Sequence, residues 1–199
     1  RLHHRSLTVM GHSMGGLVAR KALERTRPDA WQRDNVDLQL STISAPFAGI
    51  QLAETCGSTT AQWLSLGVVP GMCRLITGDN WYEITSASNF IRRPGPLLAT
   101  VRKYLKIVTD ERNTCRVQDP SGRCIESDYV FSLGEQYQPV VDGSPHLINV
   151  EVDAGHVEIV GDKHIVPRKL LVILQQEGLL APTPPGREAA LERLLAQLY

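Results

Sequence analysis

Apolar and polar positions change their spacing abruptly near the start of the chain. Leu7 to Met10 is a short apolar run rich in β-formers, whereas Met14, Leu17, Val18 and Ala22 recur at helical spacing. The period therefore switches from strand to helix across Gly11-His12-Ser13-Met14-Gly15. After a polar stretch, "RPDAWQRDN", Val36 to Ile43 alternates Val, Leu and Leu against Asp, Gln and Ser, the pattern of a half-buried strand. That alternation is less apolar than a parallel strand covered on both faces, and predicts one partly open face. Ala45-Pro46-Phe47-Ala48-Gly49 ends the strand.

From Ile50 to about Pro96 no strand pattern occurs, and "AQWLSLGVVPGM" (Ala61 to Met72) carries no charge. Leu97 to Val101 predicts a helix and Tyr104 to Thr109 a strand. Leu147 to Val152 alternates Ile, Val and Val with Asn and Glu as a last strand. Val166 to Glu177 predicts a helix, with Pro167 in its first turn and Gly178 just past its end. "APTPPG" (Ala181 to Gly186) is a stiff linker, and Ala189, Ala190, Leu194, Leu195 and Leu198 line one face of a final amphipathic helix. This order predicts an α/β fold with a mostly parallel sheet and helices on both faces. Residues 1–180 form its core, 50–96 an insertion, and 181–199 a linker and terminal helix.

Composition narrows the partners. In 199 residues, enough for one sizeable core, Lys+Arg and Asp+Glu number 21 each. Balanced charge offers no electrostatic case for nucleic acid or an anionic membrane surface. No apolar run is long enough to span a bilayer as a helix. The four cysteines fall in two sequence-local pairs, Cys56 with Cys73 and Cys115 with Cys124, without C-x-x-C or an adjacent histidine. Two local disulfides and an oxidising, secreted or periplasmic location follow, with buried free thiols the alternative. No metal or organic cofactor is implied.

A serine at a strand-to-helix corner sits in a strained backbone conformation, and small neighbours at Gly11 and Gly15 predict relief from collision with strand and helix. The helix start directs unpaired N–H groups toward negative charge developing beside the serine oxygen. With G-x-S-x-G in this context, the chain resembles the α/β-hydrolase superfamily. "GHSMGGLVAR" and "STISAPFAG" (Ser41 to Gly49) look like bacterial lipases and esterases and the GPI-inositol-deacylase group.

The resemblance implies a nucleophile at Ser13, an oxyanion donor at the backbone N–H of Met14, and the chain order serine, acid, histidine. Among six histidines, His156 follows the last strand in "DAGHVEIVG" and is the expected base. His164 is the reserve, His3 and His4 precede the serine, and His146 begins the last strand. "SDYVFSLGEQY" resembles the lipase acid segment and places the acid at Asp128, although the Cys115 to Cys124 loop intervenes. Asp110, Glu111 and Glu135 are rivals.

The insertion resembles a cap or lid over the active site, with core packing of a helical subdomain as the alternative. His12, Phe47, Trp63 and Leu64 are candidate substrate contacts. The resemblance further implies that the usual N-terminal half of the fold is absent. The first strand is then an open edge, predicting a homodimer, a swapped arrangement or a missing N-terminal partner. The expected activity is hydrolysis of a carboxylic ester, with the apolar insertion pointing to lipid-like acyl chains and contact with a lipid interface as a further expectation. An acyltransferase or thioesterase with the same residues, and a non-catalytic remnant that binds lipid or a partner, are the alternatives.

Overall fold

A computed structural model describes residues 5–24, 36–51, 81–163 and 165–199. The chain has a mixed α/β fold with six described strands. These are β1 (Arg5–His12), β2 (Val36–Ile43), β3 (Val101–Asp110), β4 (Cys115–Gln118), β5 (Cys124–Ser127) and β6 (Leu147–Asp153). The described helices are α1 (Met14–Ala22), α2 (Asn89–Arg92), α3 (Pro139–Asp142), α4 (Arg168–Gln176) and α5 (Glu188–Leu198), with short 3-10 turns at Trp81–Ile84 and Leu133–Gln136.

Four strands form one sheet in the order β1-β2-β3-β6, in which β1 pairs parallel with β2 and β2 parallel with β3. The chain divides into two compact units. Arg1–Val108 with Val130–Glu151 make the first, and Thr109–Tyr129 with Val152–Tyr199 the second.

In the first unit β2 lies between two neighbours, β1 and β3. Leu38, Leu40 and Ile43 are buried, but so are the polar Ser41 and Thr42. Asp37 and Gln39, near the start of the strand, are half-buried, in keeping with the partly open face expected, and the buried Thr42 Oγ1 shares a hydrogen bond of 3.1 Å with the Tyr104 hydroxyl. Burial pushes that Tyr104 hydroxyl's pKa up.

Helix α1 packs against β1 and β2 through Gly16, Leu17, Ala19 and Arg20, not through the Met14 and Val18 positions that its periodicity suggested. Met14 and Val18 are exposed, as are Leu7 and Met10 of β1, the strand at the end of the sheet order. Arg20 is buried because its guanidinium is engaged: Nη1 donates to Glu24 Oε1 at 2.8 Å, and Nη2 to the Gly95 carbonyl and Ser144 Oγ. Lys106, on the central strand β3, is likewise buried. Its ammonium meets Asp142 at 2.5 Å and lies 4.2 Å from the centre of the Tyr137 ring. Burial lowers its pKa, and Asp142 opposes the shift.

The helix expected over Leu97 to Val101 is absent. Leu97 makes an isolated bridge to Glu24, Leu98 enters the core, and β3 begins at Val101. Val101 is taken into β3, and the four residues left between Pro96 and the strand are too few for a stable helix.

In the second unit the sequence between Cys115 and Cys124 is an antiparallel hairpin, β4 with β5, closed by a disulfide between those residues. The other expected pair, Cys56 and Cys73, lies outside the described residues. Helices α4 and α5 form where predicted, within a residue or two. Among the described residues no helix is long and apolar enough to cross a membrane.

Candidate functional site

The first unit contains the serine corner. Ser13 lies between β1 and α1 with φ 54° and ψ −130°, a left-handed φ that a residue with a side chain adopts at a cost. Its neighbours hold it there. The Ser13 N–H donates to the Ile43 carbonyl at 2.9 Å, tying the corner to the end of β2, and its own carbonyl accepts from Gly16 N–H at 2.9 Å.

The glycines divide differently from expectation. A Cβ on Gly11 would sit 2.2 Å from the Gly15 carbonyl oxygen, and one on Gly16 would sit 2.7 Å from the Ala45 Cβ. A Cβ on Gly15 meets nothing within 4 Å among the described residues. The close approach of helix to strands therefore falls at Gly11 and Gly16, and among the described residues none crowds Gly15. Met14 opens the helix, where N–H groups have no intrahelical acceptor by construction.

The second unit brings the imidazole and two carboxylates together. Glu111 follows β3 directly and is buried, as are Thr109 and His156. His156 Nδ1 lies 2.9 Å from Glu111 Oε1, and Thr109 Oγ1 donates to the same oxygen at 3.0 Å. With Glu111 ionised, Nδ1 carries the proton and donates it, the tautomer that leaves the Nε2 lone pair able to accept.

Asp128 has different recorded partners. Its carboxylate accepts the backbone N–H of Val157 at 3.0 and 3.1 Å and that of Glu158 at 2.9 Å, while its main-chain carbonyl accepts the His156 N–H at 2.9 Å. Burial pushes the Asp128 carboxyl above the ordinary aspartate range, against the opposing pull of those N–H groups and of the nearby imidazole. Glycine at 155 is what lets Asp128 come so close: a Cβ there would stand 2.0 Å from Asp128 Oδ2.

The sequence placed the orienting acid at Asp128, and the structure sets Glu111, then a rival, against Nδ1. The signal for Glu111 was its place as a carboxylate immediately after an apolar parallel strand, where residues of open α/β sheets face ligands.

The remaining rivals are engaged elsewhere. Asp110 is gripped by the Arg112 guanidinium at 2.9 and 3.1 Å from Nε and 2.5 Å from Nη2, which holds its carboxyl down at about 2. Glu135 caps its own 3-10 turn, accepting from the Ser132 N–H and hydroxyl, and also from Gln51 N–H. Of the candidate substrate contacts, His12 ends β1 half-buried, and Phe47 is buried in the core with its ring 5.7 Å from Lys106 Nζ. Trp63, Leu64 and the reserve histidine His164 lie outside the described residues. Ser13 and Met14 belong to the first unit, and Glu111, Asp128 and His156 to the second.

No family model matches the chain, and no curated protein matches it. Among solved structures it is similar to the crystal structure of a protein described as the "putative cell surface hydrolase" from Lactobacillus plantarum WCFS1. Identity is 18% and the TM-score 0.39, and the match covers 98% of this chain and 61% of that one. The chain thus spans less than two thirds of that protein's length.

Proposed function

We propose that the chain is a serine hydrolase acting on carboxylic esters, with Ser13 as nucleophile and His156 as base. The observation that carries the reading is Ser13 itself, a non-glycine residue held at positive φ between a parallel strand and a helix start. Backbone strain of this kind persists only where the surroundings enforce it, and it clusters at functional positions. The His156–Glu111 hydrogen bond is the second support, because a base needs a partner that fixes its tautomer. Chain position is the third: Ser13, Glu111 and His156 each closely follow the carboxyl end of a sheet strand, in the order nucleophile, acid, base.

In this reading His156 Nε2 takes the Ser13 hydroxyl proton as Oγ attacks the ester carbonyl. The tetrahedral oxyanion is met by the Met14 N–H at the start of α1. Collapse expels the alcohol, which receives the proton from the imidazolium, and leaves an acyl group on Ser13. Water, deprotonated by the same imidazole, releases the acid. Glu111 keeps Nδ1 protonated and stabilises the imidazolium without taking its proton. The disulfide at Cys115–Cys124 supports placing this activity in an oxidising compartment.

Hydrolysis of p-nitrophenyl esters of short and long acyl chains tests the reading. Turnover that Ser13→Ala abolishes is expected. Folded protein that hydrolyses no ester of the series, or whose turnover survives Ser13→Ala, contradicts it. Adding a competing alcohol sorts hydrolase from acyltransferase by the product formed.

A further inference from the structure

One buried carboxylate of the second unit has no role in the steps above. Asp128 is 3% exposed, and ionising it there costs enough to raise its pKa. What it does with its oxygens is specific. Three consecutive backbone N–H groups, those of His156, Val157 and Glu158, end on this single residue, the first on its carbonyl and the other two on its carboxylate. Consecutive N–H groups converging on one anion form a concave nest that fixes the dihedrals of the residues contributing them. An apolar side chain at 128 would leave the Val157 and Glu158 donors without their acceptor.

The turn so fixed is the one that aims the imidazole. Gly155 N–H donates to Glu158 Oε2 at 3.0 Å, and Ile159 N–H to the Gly155 carbonyl at 3.1 Å, so the Gly155–Ile159 turn closes around His156. Lys169 braces its rim through Glu158 at 2.7 Å and the Asp153 carbonyl. The direction of the imidazole, and with it the 2.9 Å approach of Nδ1 to Glu111, is set by this backbone.

We propose that Asp128 is a positioning residue for His156: it clamps the turn that carries the base, while Glu111 supplies the carboxylate at Nδ1. The proposal rests on the reading of His156 as the base. It divides between two carboxylates the two tasks of holding the imidazole's backbone and holding its proton. Gly155 belongs to the same device, since only a residue without Cβ admits the Asp128 carboxylate to the nest.

The test compares Asp128→Asn, Asp128→Ala, Gly155→Ala and Glu111→Gln by ester kinetics and by NMR of 15N-histidine-labelled protein, following the His156 Nδ1–H resonance. Asn retains an oxygen acceptor for the nest, so Asp128→Asn is expected to lower kcat about tenfold or less with KM unchanged. Asp128→Ala and Gly155→Ala release the turn and are expected to lower kcat about 10²-fold, the scale of a 1 Å misplacement. Both should broaden or lose the Nδ1–H resonance although Glu111 is intact.

A loss near 10⁴-fold in Asp128→Asn with little loss in Glu111→Gln would overturn the proposal, because Asp128 would then be the acid itself. Full kcat and an unchanged resonance in folded Gly155→Ala would overturn it too, as would Asp128→Ala with lower Tm but wild-type kinetics. The resonance is read without turnover. It therefore decides the clamp even if Ser13→Ala shows that the nucleophile lies elsewhere.

Discussion

At the scale of single residues, the account turns on which carboxylate does what. Glu111 sits against Nδ1 and Asp128 holds backbone, and the two therefore respond differently to neutralisation. Glu111→Gln preserves size but presents an amide to the imidazole, which permits the wrong tautomer. We expect kcat/KM for ester hydrolysis to fall about 10⁴-fold, with KM little changed, as when a triad carboxylate becomes an amide. A fall of less than tenfold would remove Glu111 from the mechanism.

Asp128 also makes a prediction in pH. Its folded-state pKa is raised, chiefly by burial, so the folded chain holds that proton more tightly than the unfolded one. Its contribution to stability is full below about pH 4, the ordinary aspartate range, and is lost as pH rises through the raised value. Asp128→Asn cannot titrate. The Tm difference between variant and wild type should thus move in the variant's favour as pH climbs from about 4 to about 7. A difference that stays constant across that range in thermal melts contradicts the assignment. The strand-to-helix corner at Ser13 was legible in the sequence because a glycine-flanked change of period leaves a local signature. The choice between Glu111 and Asp128 was not, since it depends on where a hairpin of the second unit returns the chain.

At the scale of elements, the strand-to-helix corner sets a graded test. Gly11→Ala and Gly16→Ala put a methyl into backbone and into Ala45 respectively, and each should cost about 1–3 kcal/mol by overpacking. Gly15→Ala meets open space among the described residues and replaces a poor helix former, so stability should hold or rise by up to ~1 kcal/mol. Denaturant midpoints of the three variants check the order. Equal losses at all three positions would mean the corner is packed otherwise.

The β4–β5 hairpin gives a second test. Its disulfide closes a short loop, separation 9, and the double variant Cys115→Ser/Cys124→Ser should lower stability by about 2–3 kcal/mol in the loop-entropy account. An unchanged melting curve would show that the hairpin opens without the rest of its unit.

The elements also show where pattern reading stops. Long periodic segments such as α4 and α5 were legible. The burial of Ser41 and Thr42 in β2 was not, because alternation reports polarity and not how many neighbours a strand has. The short apolar stretch before β3 misled for a related reason: Leu97 and Leu98 are apolar because they enter the core, whatever their backbone does. Helix α1 departed more subtly. Its apolar residues lie on two faces, and the buried one is decided by Gly16 and by an arginine neutralised inside by Glu24.

At the scale of the whole molecule, the proposal names a nucleophile in the first compact unit and a base with its partner in the second. The boundaries between the units fall inside β3, after Tyr129 and inside β6. The fold class was legible because alternating strand and helix periods admit few architectures. The joining of Ser13 to His156 that the proposal requires is a matter of topology, which composition and local spacing do not encode.

That joining is tested by a fluorophosphonate probe, which reacts only with a serine whose hydroxyl is activated by a neighbouring base. Mass spectrometry of the labelled wild-type chain should find one adduct, on the Ser13 peptide, absent from Ser13→Ala and formed at least about 10³-fold more slowly in His156→Ala. Folded wild-type protein that takes up no probe, or that labels Ser13 just as fast without the imidazole, would contradict the account.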